Sequence, residues 1–203
     1  MNNVSKLMLS AEEQQLVNNS HWILTKRIII DKVNELLGYC SEYQKAFIQK
    51  EKDWLPAAVI QSTPKIAKGE NYLQLPYVLL DYPRCFDAEN IFAVRTMFWW
   101  GNFFSMSLHI SGMYKKMYQQ KIMENLQTAA PGLFICVNEN QWQHHFEPDN
   151  YIAVKQLPGK DVQAIILKNK FVKLAVKFPL QQWNDMPALL DESFKGIIGM
   201  LKA

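Results

Sequence analysis

The sequence is poor in cysteine, and its few cysteines have no shared spacing. Cys40, Cys85 and Cys136 are far apart, odd in number and without a C-x-x-C pair. A disulfide framework or a zinc knuckle needs cysteines paired at short spacings. The sequence therefore predicts neither. Free thiols are typical of a reducing compartment, so we expect a cytoplasmic protein.

Long apolar runs are also missing, although 49% of the 203 residues are hydrophobic. No window approaches the roughly 18 uninterrupted apolar residues that a membrane-spanning helix needs. The apolar patch near the N-terminus is interrupted at Ser10 and is too short for the core of a secretion signal. We expect no membrane association, and enough apolar side chains to build one core.

Charge of one sign is not in excess either. Lys and Arg number 22 against 19 Asp and Glu, which leaves a net charge of +3. Nucleic-acid binding usually requires a concentrated basic surface. The one basic cluster consists of Lys168, Lys170, Lys173 and Lys177. It lacks arginine and interleaved exposed aromatic residues, so we interpret it as a solvated sheet face and expect no nucleic-acid partner.

Common catalytic motifs are absent: the chain has no G-x-S-x-G, no P-loop and no G-x-G-x-x-G after a strand. Metal-capable side chains come close together only at His144, His145, Glu147 and Asp149. Adjacent histidines in a loop rarely point at one ion, and no further ligand has a recognisable spacing. We therefore expect neither a metal nor a cofactor, and we interpret this stretch as a polar loop.

The hydrophobic periodicity predicts a single α+β domain over residues 1–203. A capping-box pattern at Ser10 and Glu13 begins an N-terminal helical segment, about residues 10–52. Residues 57–178 combine strands with one middle helix, and residues 185–202 form a C-terminal helix. Because helices and strands come in blocks instead of alternating, the pattern predicts α+β and not βαβ units.

The predicted sheet is antiparallel and is packed by the N-terminal, middle and C-terminal helices. Residues 73–83 are predicted to be extended, and residues 91–110 form the strongest hairpin candidate. Residues 151–178 are predicted to be a C-terminal three-stranded meander with turns after Leu157 and Lys168. The middle strand of that meander would be the apolar stretch DVQAIILK.

The hairpin carries an aromatic-rich stretch whose alignment decides the candidate site. Gly101-Asn102 suits a two-residue type II′ turn, which would put Phe98 opposite Ser105 and Thr96 opposite Ser107. One face would then mix rings, hydroxyl groups and an imidazole, as a small-molecule pocket needs. The ligand-facing residues would be Thr96, Phe98, Trp100, Phe103, Ser105, Ser107 and His109. Such residues are also ordinary on a half-exposed sheet face.

Arg95 would lie on the other, apolar face of that hairpin. An unpaired guanidinium there would cost several kcal/mol, so it needs a carboxylate. Asp81, at the end of the preceding extended segment, is the best candidate. The pair would be an internal salt bridge or, where solvent reaches it, a two-pronged site for an anionic or planar ligand.

Three functional hypotheses follow from these residues. The leading one is a small-molecule-binding or protein-interaction module with its site near the aromatic hairpin. The second is an enzyme of unassigned class that uses His109 as an acid–base group and the Arg95–Asp81 pair to orient its substrate. The third is a homodimer whose interface is the mixed face, because Trp, Phe and Met concentrate in buried interface centres.

Overall fold

A computed structural model describes residues 7–128 and 131–202, and the chain divides into two units, Met1–Glu35 and Leu36–Ala203. The first unit contains helix α1, Ala11–Val17, and the beginning of α2, Ser20–Lys50.

The capping box predicted at the beginning of α1 is confirmed. The Ser10 hydroxyl accepts a 3.2 Å hydrogen bond from the Glu13 amide, and the Glu13 carboxylate accepts one of 2.7 Å from the Ser10 amide.

The second unit contains a seven-stranded antiparallel sheet, so the predicted α+β fold is confirmed. Its described helices after α2 are α3 Ala57–Ile60, α4 Gly112–Asn125, α5 Gly159–Lys168 and α6 Met186–Gly199. Its strands are β1 Lys65–Tyr72, β2 Leu75–Phe86, β3 Ile91–Trp99, β4 Phe103–Ser111, β5 Phe134–Cys136, β6 Tyr151–Ala153 and β7 Phe171–Pro179. The spatial order is β1-β2-β3-β4-β7-β5-β6.

The C-terminal strands β5, β6 and β7 belong to the sheet, but the segment between β6 and β7 is not a strand. Gly159–Lys168, which includes the predicted middle strand of the meander, forms α5. Val162 and Ile166 are its buried residues, and they lie one helical turn apart. A short apolar run of this kind satisfies the period of a helix as well as that of a strand.

One face of the sheet packs against helices. The ring of Phe92 in β3 meets Tyr114 and Tyr118 of α4 edge-on, with centroids 5.5 and 6.1 Å apart. Phe98 and Phe104 pack against Trp183 of the 3₁₀ turn that precedes α6. Alternate residues of a strand point to the same side, so this helix-covered face holds the main apolar layer.

The opposite face is covered by residues 137–150, which we call the covering loop. The Trp142 ring lies 5.5 Å from the imidazole of His109, centroid to centroid. Phe146 stacks on Tyr151 at 4.6 Å and meets Phe103 edge-on at 5.1 Å. The predicted polar loop is therefore a layer of the structure that shields the middle of the sheet.

The predicted hairpin is confirmed, but its turn is displaced by one residue. The Asn102 amide donates to the Trp99 carbonyl at 3.1 Å, and Gly101 has a φ of +68°. A positive φ at the third of four turn residues is the requirement of a type II turn, and glycine meets it without strain. Trp99 therefore pairs with Phe103, and Arg95 pairs with Ser107.

This displacement corrects the predicted faces. A shift of one position exchanges the side chains of one strand between the two sides of the sheet. Thr96 and Phe98 consequently lie on the helix-covered face, while Arg95 shares a face with Ser107 and His109. The predicted mixed face was wrong, and so was the placement of Arg95 among apolar side chains alone.

In the part of the chain that the structure describes, no helix is long and apolar enough to cross a membrane.

Candidate functional site

The central strands place polar side chains at adjoining positions beneath the covering loop. Across the ladder, Asp81 of β2 pairs with Arg95 of β3, which pairs with Ser107 of β4. Two residues along β4, His109 pairs with Lys173 of β7. We call Asp81, Arg95, His109, Lys173 and the loop residue His144 the covered cluster. Its members come from five segments, so only the assembled sheet and loop bring them together.

Arg95 forms a two-pronged ion pair with Asp81, the partner that the sequence predicted. Arg95 Nε donates to Asp81 Oδ1 at 2.8 Å, and Arg95 Nη2 donates to Oδ2 at 2.9 Å. The side chain of Arg95 is 19% exposed and that of Asp81 is 8% exposed. A fork of this geometry is among the stronger charge-assisted contacts in proteins, so the pair fixes the guanidinium in the plane of the carboxylate.

The third guanidinium nitrogen of Arg95 determines which ring nitrogen of His144 carries the hydrogen. Arg95 Nη1 lies 3.0 Å from His144 Nε2. A guanidinium can only donate, so Nε2 must accept and the ring hydrogen must be on Nδ1. Burial, followed by the charges of Lys173 and Arg95, lowers the pKa of His144 well below its usual 6.5. His144 is therefore a neutral imidazole with a defined tautomer.

Lys173 is the least expected member of the covered cluster, because only 2% of it is exposed. Its Nζ donates to the backbone carbonyls of Gln141 and Gln143, at 3.0 and 2.6 Å. A third neighbour, His144 Nδ1, lies 3.4 Å away. The prediction of a solvated lysine face is wrong at this position, because the covering loop encloses the side chain.

The contact of Lys173 with His144 favours the neutral form of the lysine. Since His144 Nδ1 carries a hydrogen, an ammonium group would meet it donor to donor. An uncharged amine has two N–H groups for the two carbonyls and a lone pair for the Nδ1–H. Burial, with a contribution from the charge of Arg95, lowers the pKa of Lys173 to about 7. The geometry and the pKa agree that Lys173 loses its proton far more easily than an ordinary lysine.

His109 is neutral as well. Its Nε2 lies 3.0 Å from the side-chain oxygen of Gln141, which can only accept, so Nε2 carries the ring hydrogen. The ring is flanked edge-on by Trp142 and Phe171, each with its centroid 5.5 Å away. Burial and the charge of Lys173 lower the pKa of His109 to about 3.

The pocket between the sheet and the covering loop is small. Its volume is about 10 Å³, which is close to the minimum that one water molecule needs. The lining consists of Phe86, Ala93, Arg95, Ser107, His109, Trp142, His144 and Lys173. A ligand larger than water therefore needs the covering loop to move.

The covering loop is ordered by short polar contacts. The hydroxyl oxygen of Tyr72 accepts hydrogen bonds from the backbone amides of His144 and His145, at 2.7 and 3.0 Å. Asn138 and Asn140 accept from amides two residues further on, at 2.8 and 3.0 Å. These asparagines are a sequence signal for an ordered loop, because Asn side chains close turns with their own backbone.

The predicted site residues separate into three groups. On the face beneath the covering loop lie Asp81, Arg95, Phe103, Ser105, Ser107 and His109. Thr96 and Phe98 lie on the helix-covered face, and Trp100 lies in the turn with its ring 5.3 Å from that of Phe98. Sequence reasoning did not place Lys173, His144 or Tyr72 at the site. Nothing in the alternation of β7 distinguishes the buried Lys173 from the exposed Lys177.

Neither metal-binding geometry nor similarity to known proteins assigns a function to the site. Among residues 7–128 and 131–202, no three His, Cys, Asp or Glu side chains lie close enough together to hold a metal ion. No protein-family model matches the chain, and no curated protein or solved structure matches it at a significant level.

Proposed function

We propose that the protein is a small-molecule-binding module whose ligand carries a carboxylate. The ligand would bind on the sheet face beneath the covering loop and replace residues 141–144. Arg95 and Lys173 would contact its carboxylate, and Ser107 and His109 would lie next to it. This proposal keeps the leading hypothesis from the sequence and the predicted site residues of β4, with Arg95 of β3 in place of Thr96 and Phe98.

The observation that carries the proposal is the polarity of the loop contacts. Towards Arg95 and Lys173 the loop presents acceptors, namely two backbone carbonyls and His144 Nε2. Within the covered cluster, the sheet contributes two basic side chains, Arg95 and Lys173, and a single carboxylate, Asp81, which already holds two nitrogens of Arg95. A ligand that displaces the loop must restore those acceptors, or the buried donors remain unpaired. A carboxylate supplies two acceptor oxygens and the missing negative charge.

Proton uptake would accompany binding. A carboxylate next to Lys173 favours the ammonium form and raises its pKa, whereas the closed loop favours the neutral amine. Near pH 7 the free site is only partly protonated, and the occupied site would be fully protonated. Affinity is therefore expected to fall as the pH rises above 7, because each binding event must then take up a proton.

The other hypotheses have less support. An acid–base role needs a pKa near the working pH, and that of His109 is about 3. A homodimer formed through the predicted mixed face required Thr96 and Phe98 to share a surface with His109. They lie instead on the helix-covered face, where both are almost completely buried.

The test is calorimetric titration of the full chain with succinate, citrate and inorganic phosphate at constant ionic strength. We expect a carboxylate to bind the wild type and to bind Lys173→Met about tenfold more weakly or worse, a loss of about 1.4 kcal/mol. Lys177→Met is the matched control, because Lys177 lies on the same strand and face but is exposed. Equal affinities for wild type and Lys173→Met would refute the proposal, as would binding of phosphate alone.

Displacement of the covering loop can be measured separately from ligand affinity, by hydrogen exchange. The amides of His144 and His145 are held by the Tyr72 hydroxyl in the closed loop. Hydrogen exchange at these two amides should accelerate when the carboxylate binds, because residues 141–144 leave the sheet. Slower exchange on binding would mean that the ligand sits elsewhere.

A further inference from the structure

The first unit leaves most of its apolar side chains in solvent. In its described part, residues 7–35, Val33 is the one buried residue. Its exposed large hydrophobic residues are Leu7, Met8, Leu9, Leu16, Val17, Trp22, Ile23, Leu24 and Ile28, with exposed fractions from 44% to 83%. A monomeric protein rarely exposes so dense a group, and such groups usually mark an interaction surface.

The exposed apolar side chains of α2 surround its beginning instead of forming one stripe. Trp22, Ile23 and Leu24 are consecutive, so they point about 100° apart around the helix axis. Ile28 lies one turn below Leu24 on the same side. A helix that is apolar on several sides is normally enclosed by other helices. One flat partner surface could cover only part of this segment.

The size of the unit argues for association. Below roughly 40 residues a chain segment usually needs disulfides, a metal or oligomerisation to hold a core. The first cysteine of the sequence is Cys40, so the unit Met1–Glu35 has none to form a disulfide. Its described residues contribute no metal-binding group. Helix α2 continues beyond Glu35 to Lys50, and oligomerisation is the means that would also bury the apolar side chains that residues 7–35 leave exposed.

The charges of the unit favour a protein partner over a membrane surface. Helices that lie on anionic membranes carry mainly Lys and Arg on their polar side. Here both signs are mixed in residues 7–35, with Glu12, Glu13, Asp31 and Glu35 against Lys26, Arg27 and Lys32. A set with both signs can be complementary to a second copy of itself under two-fold symmetry.

We propose that two copies of the chain associate through residues 7–35. Each copy contributes two helices, α1 and the beginning of α2, so a pair supplies the four helices that enclose a shared apolar core in a bundle. A standard interface involves about 20 to 30 residues from each partner, and residues 7–35 match that size. This dimer does not depend on the proposed carboxylate site.

The test is sedimentation equilibrium of the full chain over a range of concentrations. The wild type is expected at twice the 23.7 kDa of one chain. Leu24→Glu and Ile28→Glu should each weaken the dimer about tenfold or more, because a charge would enter the apolar centre. The matched control is Leu167→Glu on α5, a leucine of similar exposure at 60%. Far-UV circular dichroism should show unchanged helix content in Leu167→Glu, and any loss in Leu24→Glu and Ile28→Glu should not exceed the helical share of residues 11–35.

Three results would overturn the dimer. The first is a monomeric wild type at every concentration. The second is a dimer that both Leu24→Glu and Ile28→Glu leave intact, since that would place the interface elsewhere. The third is a monomer that co-sediments with phosphatidylserine vesicles, which would assign the apolar residues to a membrane surface.

Discussion

The lowered pKa of Lys173 predicts a specific dependence of stability on pH. Its pKa is about 7 in the folded protein and near 10.5 when the side chain is solvated. Between these values the unfolded chain holds a proton that the folded chain lacks, so unfolding takes up a proton and stability rises with pH. One pKa unit corresponds to 1.36 kcal/mol. From pH 7 to pH 9, this group should therefore add about 2 kcal/mol to the free energy of unfolding.

The comparison is wild type against Lys173→Met in urea denaturation at pH 7, 8 and 9. Lys173→Met lacks the ionisable group, so the difference in unfolding free energy between the two proteins should change by about 2 kcal/mol in favour of the wild type at the higher pH. Cys40, whose pKa burial raises to about 12, makes the opposite contribution above pH 8. That contribution is common to both proteins and cancels. A constant difference across the three pH values would refute the lowered pKa of Lys173.

Two further substitutions test the site and its surroundings. Asp81→Ala should lower the unfolding free energy by about 3 kcal/mol, because it leaves the guanidinium of Arg95 partly buried without its carboxylate. Urea denaturation measures the unfolding free energy. A loss below about 1 kcal/mol would mean that the Arg95–Asp81 ion pair contributes no more than a solvent-exposed salt bridge. Gly112→Ala should cost about 2 kcal/mol by the same assay, since Gly112 has a φ of +56° and a methyl group would lie against Asn90 Oδ1. Gly38→Ala is its control, because nothing lies within 4 Å, and a loss as large there would contradict the reasoning.

Elements with a clear helical period or a local cap could be predicted from the sequence. The capping box at Ser10 and Glu13 and the apolar face of α6 depend on residues within one or two turns of each other. The Arg95–Asp81 pair was also predictable, because a largely buried guanidinium requires a carboxylate. Each of these inferences needs information from only a short stretch of chain or from one obligatory partner.

The remaining features depend on details that composition does not encode. Gly101 suits the first central position of a type II′ turn and the second central position of a type II turn equally well, and the choice decides which residues of β3 share a face with those of β4. Helix α5 was mistaken for a strand because VQAIIL fits both periods. The burial of Lys173 follows from a loop 30 residues away in sequence, so no local pattern reveals it.

The covering loop holds Lys173 through main-chain oxygens, and this has a consequence for variation in related sequences. Two of its three polar neighbours are the carbonyls of Gln141 and Gln143, which any amino acid would supply. Replacement of either glutamine would therefore preserve the tether, whereas removal of one residue between Asn140 and His144 would shift both oxygens out of register. For the contact with Lys173, the length of this segment should consequently matter more than the amino acids at positions 141 and 143.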